Sequence, residues 1–146
     1  MTTPRLLLLA CMAVAGLGCE VGPQSGRGFR LPEGDTGRGE VAFRELGCSS
    51  CHDVAGGPAS PEGNRSDVIV TLGGEVIRVE TYGELVTSII NPSHKISRRY
   101  PREQVAEGGV SKMENFNEQM TVAQLIDLTA FLQSKYQLRP GPFSLR

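Results

Sequence analysis

A mainly α-helical domain, with about three helices and one inserted β-hairpin, is the fold class that the 146 residues predict. Three observations predict it. Segments opening at Thr81 and Thr121 each join a capping signal to apolar residues at helical spacing. A shorter apolar segment ends at Gly47, directly before Cys48-Ser49-Ser50-Cys51-His52. Two β-branched runs flank Gly73-Gly74.

Taken in order, Glu33 to Thr36 supply turn and cap residues, and Val41, Ala42, Phe43 and Leu46 fall within a short helix stopped by Gly47. Val68 to Leu72 and Glu75 to Val79 read as a hairpin with a two-residue turn. Pairing Leu72 with Glu75 sets Val70 against Ile77 and Val68 against Val79, so one face is largely apolar. A lone hairpin is marginal in water, and this face is expected to dock over its own domain or against a partner subunit. Thr81-Tyr82-Gly83-Glu84 has the capping-box form; Tyr82, Leu85, Val86 and Ile89 follow at helical spacing until Asn91-Pro92. Thr121 and Gln124 repeat the cap, and Val122, Leu125, Leu128, Phe131 and Leu132 form a stripe down to about Tyr136. Arg139-Pro140-Gly141-Pro142 cannot continue that helix.

Two thiols three positions apart with a histidine directly after the second are the attachment sequence for covalent haem c. Each thiol adds across one vinyl group, and the spacer lets Cys48 and Cys51 reach the same edge of the macrocycle. His52 then becomes the proximal iron ligand. A redox disulfide or half a zinc site uses the same residues. A thioredoxin-like motif wants a strand before Cys48, and none is predicted there. A tetrahedral zinc site would need Cys48, Cys51, His52 and His94, with His52 badly placed beside its neighbouring ligand. One covalent haem c is therefore the expected cofactor.

Residues 1–18 carry one charge, Arg5, followed by the apolar run Leu6 to Ala15, the layout of a secretory signal and too short for a permanent span. Cys19 stands where a lipoprotein cysteine would, with Gly18 before it and the Gly-rich tether Val21 to Arg30 after it. Gly16 departs from the leucine usual in that signal, Leu8-Leu9-Ala10-Cys11 fits it locally, and cleavage after Ala15 is the alternative. Acylation of Cys19 accounts for every thiol: Cys11 is discarded, and Cys48 and Cys51 hold haem. The organisation expected is a signal peptide over 1–18, a lipid-anchored linker over 19–34, a domain over 35–138 with the hairpin insert at 66–80, and a tail over 139–146. Removing residues 1–18 takes the net charge from −1 to −2, which argues for neither nucleic acid nor a strongly basic docking protein. Few aromatics and no tryptophan leave a modest core, which a buried haem would enlarge.

Over residues 35 to 138 the chain resembles a class I cytochrome c. Gly39 and Phe43 match that family's first helix, and Leu128, Phe131 and Leu132 match the C-terminal helix that crosses it. Phe43 stands five positions before Cys48, where the mitochondrial form has four. The resemblance implies a methionine loop before the last helix, and Met113-Glu114-Asn115-Phe116, which begins 61 positions after His52, is similar to it. Met113 is then the sixth ligand, with Met120 and His94 as competitors. The family's usual proline after the methionine is Glu114 here, whose carboxylate would lower the potential unless it turns to solvent. Pro58 matches the proline whose carbonyl accepts a hydrogen bond from the proximal histidine, although Gly57-Pro58 is equally an ordinary turn. With no tryptophan, the haem propionates are left to Tyr82, Tyr100 or an arginine.

The function expected is that of a mono-haem one-electron carrier with His52/Met113 ligation, not an enzyme. Its place would be periplasmic or otherwise extracytoplasmic, held to the membrane by lipid at Cys19. Its partners would be redox proteins, a membrane electron-transfer complex among them. The alternatives are a fixed subunit of a larger oxidase or dehydrogenase, seamed through the hairpin face, and a haem enzyme or gas sensor with an open sixth position. His94, Lys95, Arg98, Arg99 and Arg102 form a basic run, read either as a solvated loop or as a docking surface for an acidic partner.

Overall fold

The computed structural model describes residues 29–57, 66–76 and 81–138. The expectations for the leader, Cys19 and most of the linker, for Pro58, for Ile77 to Val79 and for the tail from residue 139 lie outside the described residues. Within them the chain is mainly helical, with four α-helices and six short strands. None of these helices is long and apolar enough to cross a membrane.

Helix α1 (Thr36–Glu45) begins where the Asp35 carboxylate accepts from Arg38 N at 2.8 Å, and it ends at Leu46 and the left-handed Gly47. Helix α2 (Tyr82–Ile90) carries the predicted capping box between Thr81 and Glu84, and Asn91 closes it. A one-turn helix α3 (Arg102–Val105) was not expected from the sequence. Helix α4 (Val122–Ser134) has its box between Thr121 and Gln124 and stops short of Tyr136.

The core forms where α1 crosses α4. Phe43 packs on Phe131 with ring centroids 5.8 Å apart and planes tilted by 55°, and Ile89, Leu128 and Leu132 complete the buried cluster. Gly39 sits at the crossing: a Cβ there would meet the Asp127 carbonyl and lie 2.6 Å from Phe131 Cβ. The helices approach this closely because that residue has no side chain. Asp127 is buried at the same crossing, and it accepts from Asp35 N at 2.7 Å and from Arg38 Nε at 2.7 Å and Nη2 at 3.1 Å. These bonds hold its carboxyl below the usual carboxylate range.

The hairpin expected around Gly73-Gly74 does not form. Strand β1 (His52–Val54) pairs in parallel with β2 (Val70–Leu72), so Leu72 lies against Val54 rather than Glu75. Strand β3 (Gly74–Val76) pairs in parallel with β6 (Tyr136–Leu138), and Glu75 lies against Gln137. The glycines serve a different need: Gly74 N donates to the Lys135 carbonyl at 2.8 Å, and a Cβ on Gly73 would lie 2.8 Å from Lys135 Cβ. The backbone must pass tightly over the end of α4, and each strand gains a neighbour already anchored to the core. Of the residues of the expected hairpin face, Leu72 packs against the core and Val68 and Val70 line a cavity. A hairpin does form at Gly108-Gly109, joining β4 (Ala106–Glu107) to β5 (Val110–Ser111). Both glycines have positive φ, 56° and 87°, as a type I′ turn needs.

Candidate functional site

Helix α1 delivers the cysteine motif. After Gly47 the chain makes a single 3-10 turn over Cys48–Ser50, with Cys51 N donating to the Cys48 carbonyl at 3.2 Å, and then extends into β1. A helix and not a strand precedes Cys48, so the setting of a thioredoxin-like redox pair is not present. Cys48 is half-buried and Cys51 exposed. Burial pushes the Cys48 thiol up to about 11.

The strand pairing that replaces the hairpin positions His52. Val70 N donates to the Cys51 carbonyl at 2.8 Å, which lays the Val70 carbonyl 3.2 Å from His52 Nδ1. A carbonyl only accepts, so Nδ1 carries the proton and the ring lone pair lies on Nε2. Burial lowers the imidazole pKa, with the Val70 bond working against it, and so favours the neutral, ligating form. The Val70 carbonyl is thus an orienting partner of His52, and the one expected of Pro58 lies outside the described residues.

Cys48, Cys51, His52 and Met113 line one cavity of about 540 Å³, within the ~300–1,000 Å³ usual for a bound organic ligand. Residues 46–52 and 66–70 form one wall and residues 88–116 the other. Leu46, Val68, Val70, Ile96, Val105 and Phe116 give much of the lining an apolar character. Met113 is half-buried, and its loop is tied down by three bonds. Met113 N donates to Ser111 Oγ at 3.1 Å, Ser111 N to Ser93 Oγ at 3.1 Å, and Asn117 Nδ2 to the Ile90 carbonyl at 2.8 Å. The methionine loop is thereby pinned to the end of α2.

No protein-family model, curated protein or solved structure matches this chain.

The competitors of Met113 lie elsewhere. Met120 packs against the hydrophobic core, and His94 is exposed, with Nδ1 2.9 Å from the Asn91 carbonyl, and does not line the cavity. The zinc set of Cys48, Cys51, His52 and His94 is therefore not assembled, and no cluster of three or more His, Cys, Asp and Glu converges among the described residues. Glu114 lines the cavity and is exposed. A larger groove of about 930 Å³ between residues 29–34 and α4 carries no thiol, imidazole or thioether.

The donor set suits a covalent macrocycle. Two thiols can form thioethers, a neutral imidazole and a thioether sulfur are suited to a transition metal, and the apolar part of the lining suits a macrocycle's face. Sequence reasoning missed Val70, Ser111, Gln104 and Lys112. A backbone carbonyl leaves no trace in a sequence, whereas Lys112 stands beside Met113 and was open to inspection.

Proposed function

We propose that the chain is a mono-haem c-type cytochrome of the class I kind, a one-electron carrier with His52 and Met113 as axial ligands. The observation that carries this reading is the single cavity that gathers Cys48, Cys51, His52 and Met113 and leaves Met120 and His94 outside it. When bound, the haem supplies the one-electron couple. Cys48 and Cys51 would hold it by thioether bonds, and His52, oriented by Val70, would ligate from the wall that carries them. Met113, held through Ser111 and Ser93, would fill the remaining position; this disfavours small-ligand chemistry and raises the potential. The α1–α4 crossing, with Gly39 and Phe43 on one helix and Phe131 on the other, supports the class I fold.

In this reading the protein works outside the cytoplasm, anchored by lipid at Cys19, and passes electrons between redox proteins. Lys95 lines the cavity, and Arg98, Arg99 and Arg102 follow it on exposed chain. Such charge favours rapid, salt-sensitive encounter with an acidic partner over tight binding. The test is a visible absorption spectrum of the exported protein, oxidised and reduced, extended to the methionine-to-ferric-iron charge-transfer band. Low-spin haem c bands with that feature are expected. A high-spin spectrum that shifts with carbon monoxide would replace the carrier by a ligand-binding haem protein.

A further inference from the structure

We infer that Lys112, with Gln104 beside it, receives a carboxylate of the cofactor; the inference rests on the haem reading above. A haem carries two propionate carboxylates, and burying their edge calls for cationic or hydrogen-bond-donating partners. Tyr82, Tyr100 and the arginines of the described residues stand away from the cavity lining. The Tyr82 hydroxyl accepts from Leu31 N at 3.2 Å and the Tyr100 hydroxyl from Thr71 N at 3.3 Å.

Two cations do line it, Lys95 and Lys112, and they differ in what already answers their charge. Lys95 Nζ is bound to Glu84 Oε1 at 2.8 Å, a carboxylate of the same chain. Lys112 Nζ donates to the main-chain carbonyl of Glu103 at 2.6 Å, a neutral acceptor, and no carboxylate of the described residues pairs with it. An ammonium has three donors, so this bond leaves two. Lys112 N also donates to the Val105 carbonyl at 2.9 Å. These two bonds fasten Lys112 to α3 on either side of Gln104, which lines the same cavity. The ammonium is thus tethered at the cavity beside the methionine loop before any carboxylate arrives, with the Gln104 amide on the same lining.

The test uses purified holoproteins whose spectra match wild type, so a chain that carries no haem ends the functional reading and is told apart from a failure here. Reduction potentials and redox-difference infrared spectra are recorded with the propionate carboxylates labelled with carbon-13. Lys112→Gln is expected to shift the labelled band and to move the ferric–ferrous equilibrium roughly three- to tenfold toward ferric, tenfold being 59 mV for one electron. Lys112→Arg is expected to keep the band near its wild-type position, and Lys95→Gln to leave it unmoved. A labelled band unchanged in Lys112→Gln, or shifted as far in Lys95→Gln, would overturn the assignment.

Discussion

Replacing Gly39 by alanine tests the crossing on which the cavity's first wall is built. The new Cβ would collide with the Asp127 carbonyl and stand 2.6 Å from Phe131 Cβ, where ordinary carbon contacts are ~3.5–4.0 Å. The atoms opposite are main chain and a β-carbon, so relief requires α1 and α4 to part by about 1 Å. A gap of that size forfeits roughly a quarter to a half of the dispersion well of each contact it opens, the Phe43–Phe131 pair included. Overpacking of this kind costs ~1–3 kcal/mol, and loosening an aromatic pair adds up to ~1 kcal/mol. A loss of about 1–4 kcal/mol follows, a large share of the ~5–15 kcal/mol that holds a domain together. The assay is thermal unfolding by circular dichroism, with an expected drop in Tm of ~4 °C or more. Gly83→Ala in α2 is the control, because nothing lies within 4 Å of its Cβ. It should gain about half a kcal/mol from helix propensity. If Gly39→Ala melted within ~2 °C of wild type, the close-approach argument would be refuted.

Met113→Ala is expected to abolish the methionine charge-transfer band, while Met120→Leu and His94→Ala leave it in place; the oxidised visible spectrum of each variant decides. Ser111→Ala removes the acceptor of Met113 N. It should let exogenous imidazole displace the methionine at several-fold lower concentration, read by titration of the same band. Asp127 is held low by Arg38 and by Asp35 N, so its contribution is present above the ordinary carboxylate pKa and lost as pH falls through its depressed value. Acid unfolding of Asp127→Asn, compared with wild type, should lack that share of the low-pH decline. In native-state hydrogen exchange, the amides of Ser111 and Met113 should open before those of α1 and α4, since they bond to exposed or half-buried hydroxyls rather than within a packed helix.

Much of the frame was legible in the sequence because its signals are local. Thr81 with Glu84 and Thr121 with Gln124 are each three residues apart, and the bonds they promise are made within that span. Gly73-Gly74 misled because turn chemistry states only that a positive φ is accessible, not which strand will lie alongside. The partners of that stretch, His52–Val54 and Tyr136–Leu138, are distant in the chain, and no periodicity names them. Gly108-Gly109 carried the same dipeptide signal with weaker strand formers at its flanks, yet there the two flanks pair with each other. At the site, Cys48, Cys51 and His52 are contiguous and announce themselves. In the sequence the likeness of its loop ranks Met113 over Met120 and His94, and the structure adds that Met113 lines the cavity while the other two do not.

The two walls of the cavity are secured by different means, and the difference bears on how such a site is adjusted. The first wall hangs from the α1–α4 crossing and from β1–β2 pairing, so His52 and the cysteines inherit the rigidity of the buried core. The second is a loop, one helical turn and a two-residue-turn hairpin, held by hydroxyl, amide and ammonium bonds to main chain at Ser111, Asn117 and Lys112. Each of these bonds contributes only about 1 kcal/mol, and each can change without touching Phe43, Phe131 or the helix crossing. In the proposed carrier, substitutions that set charge beside the cavity, at Lys112 or Glu114, would therefore act on the energy of the electron and hardly on the stability of the fold. This arrangement of the proposed carrier would separate the residues that hold the fold from those that tune the potential, with Met113 in the second group.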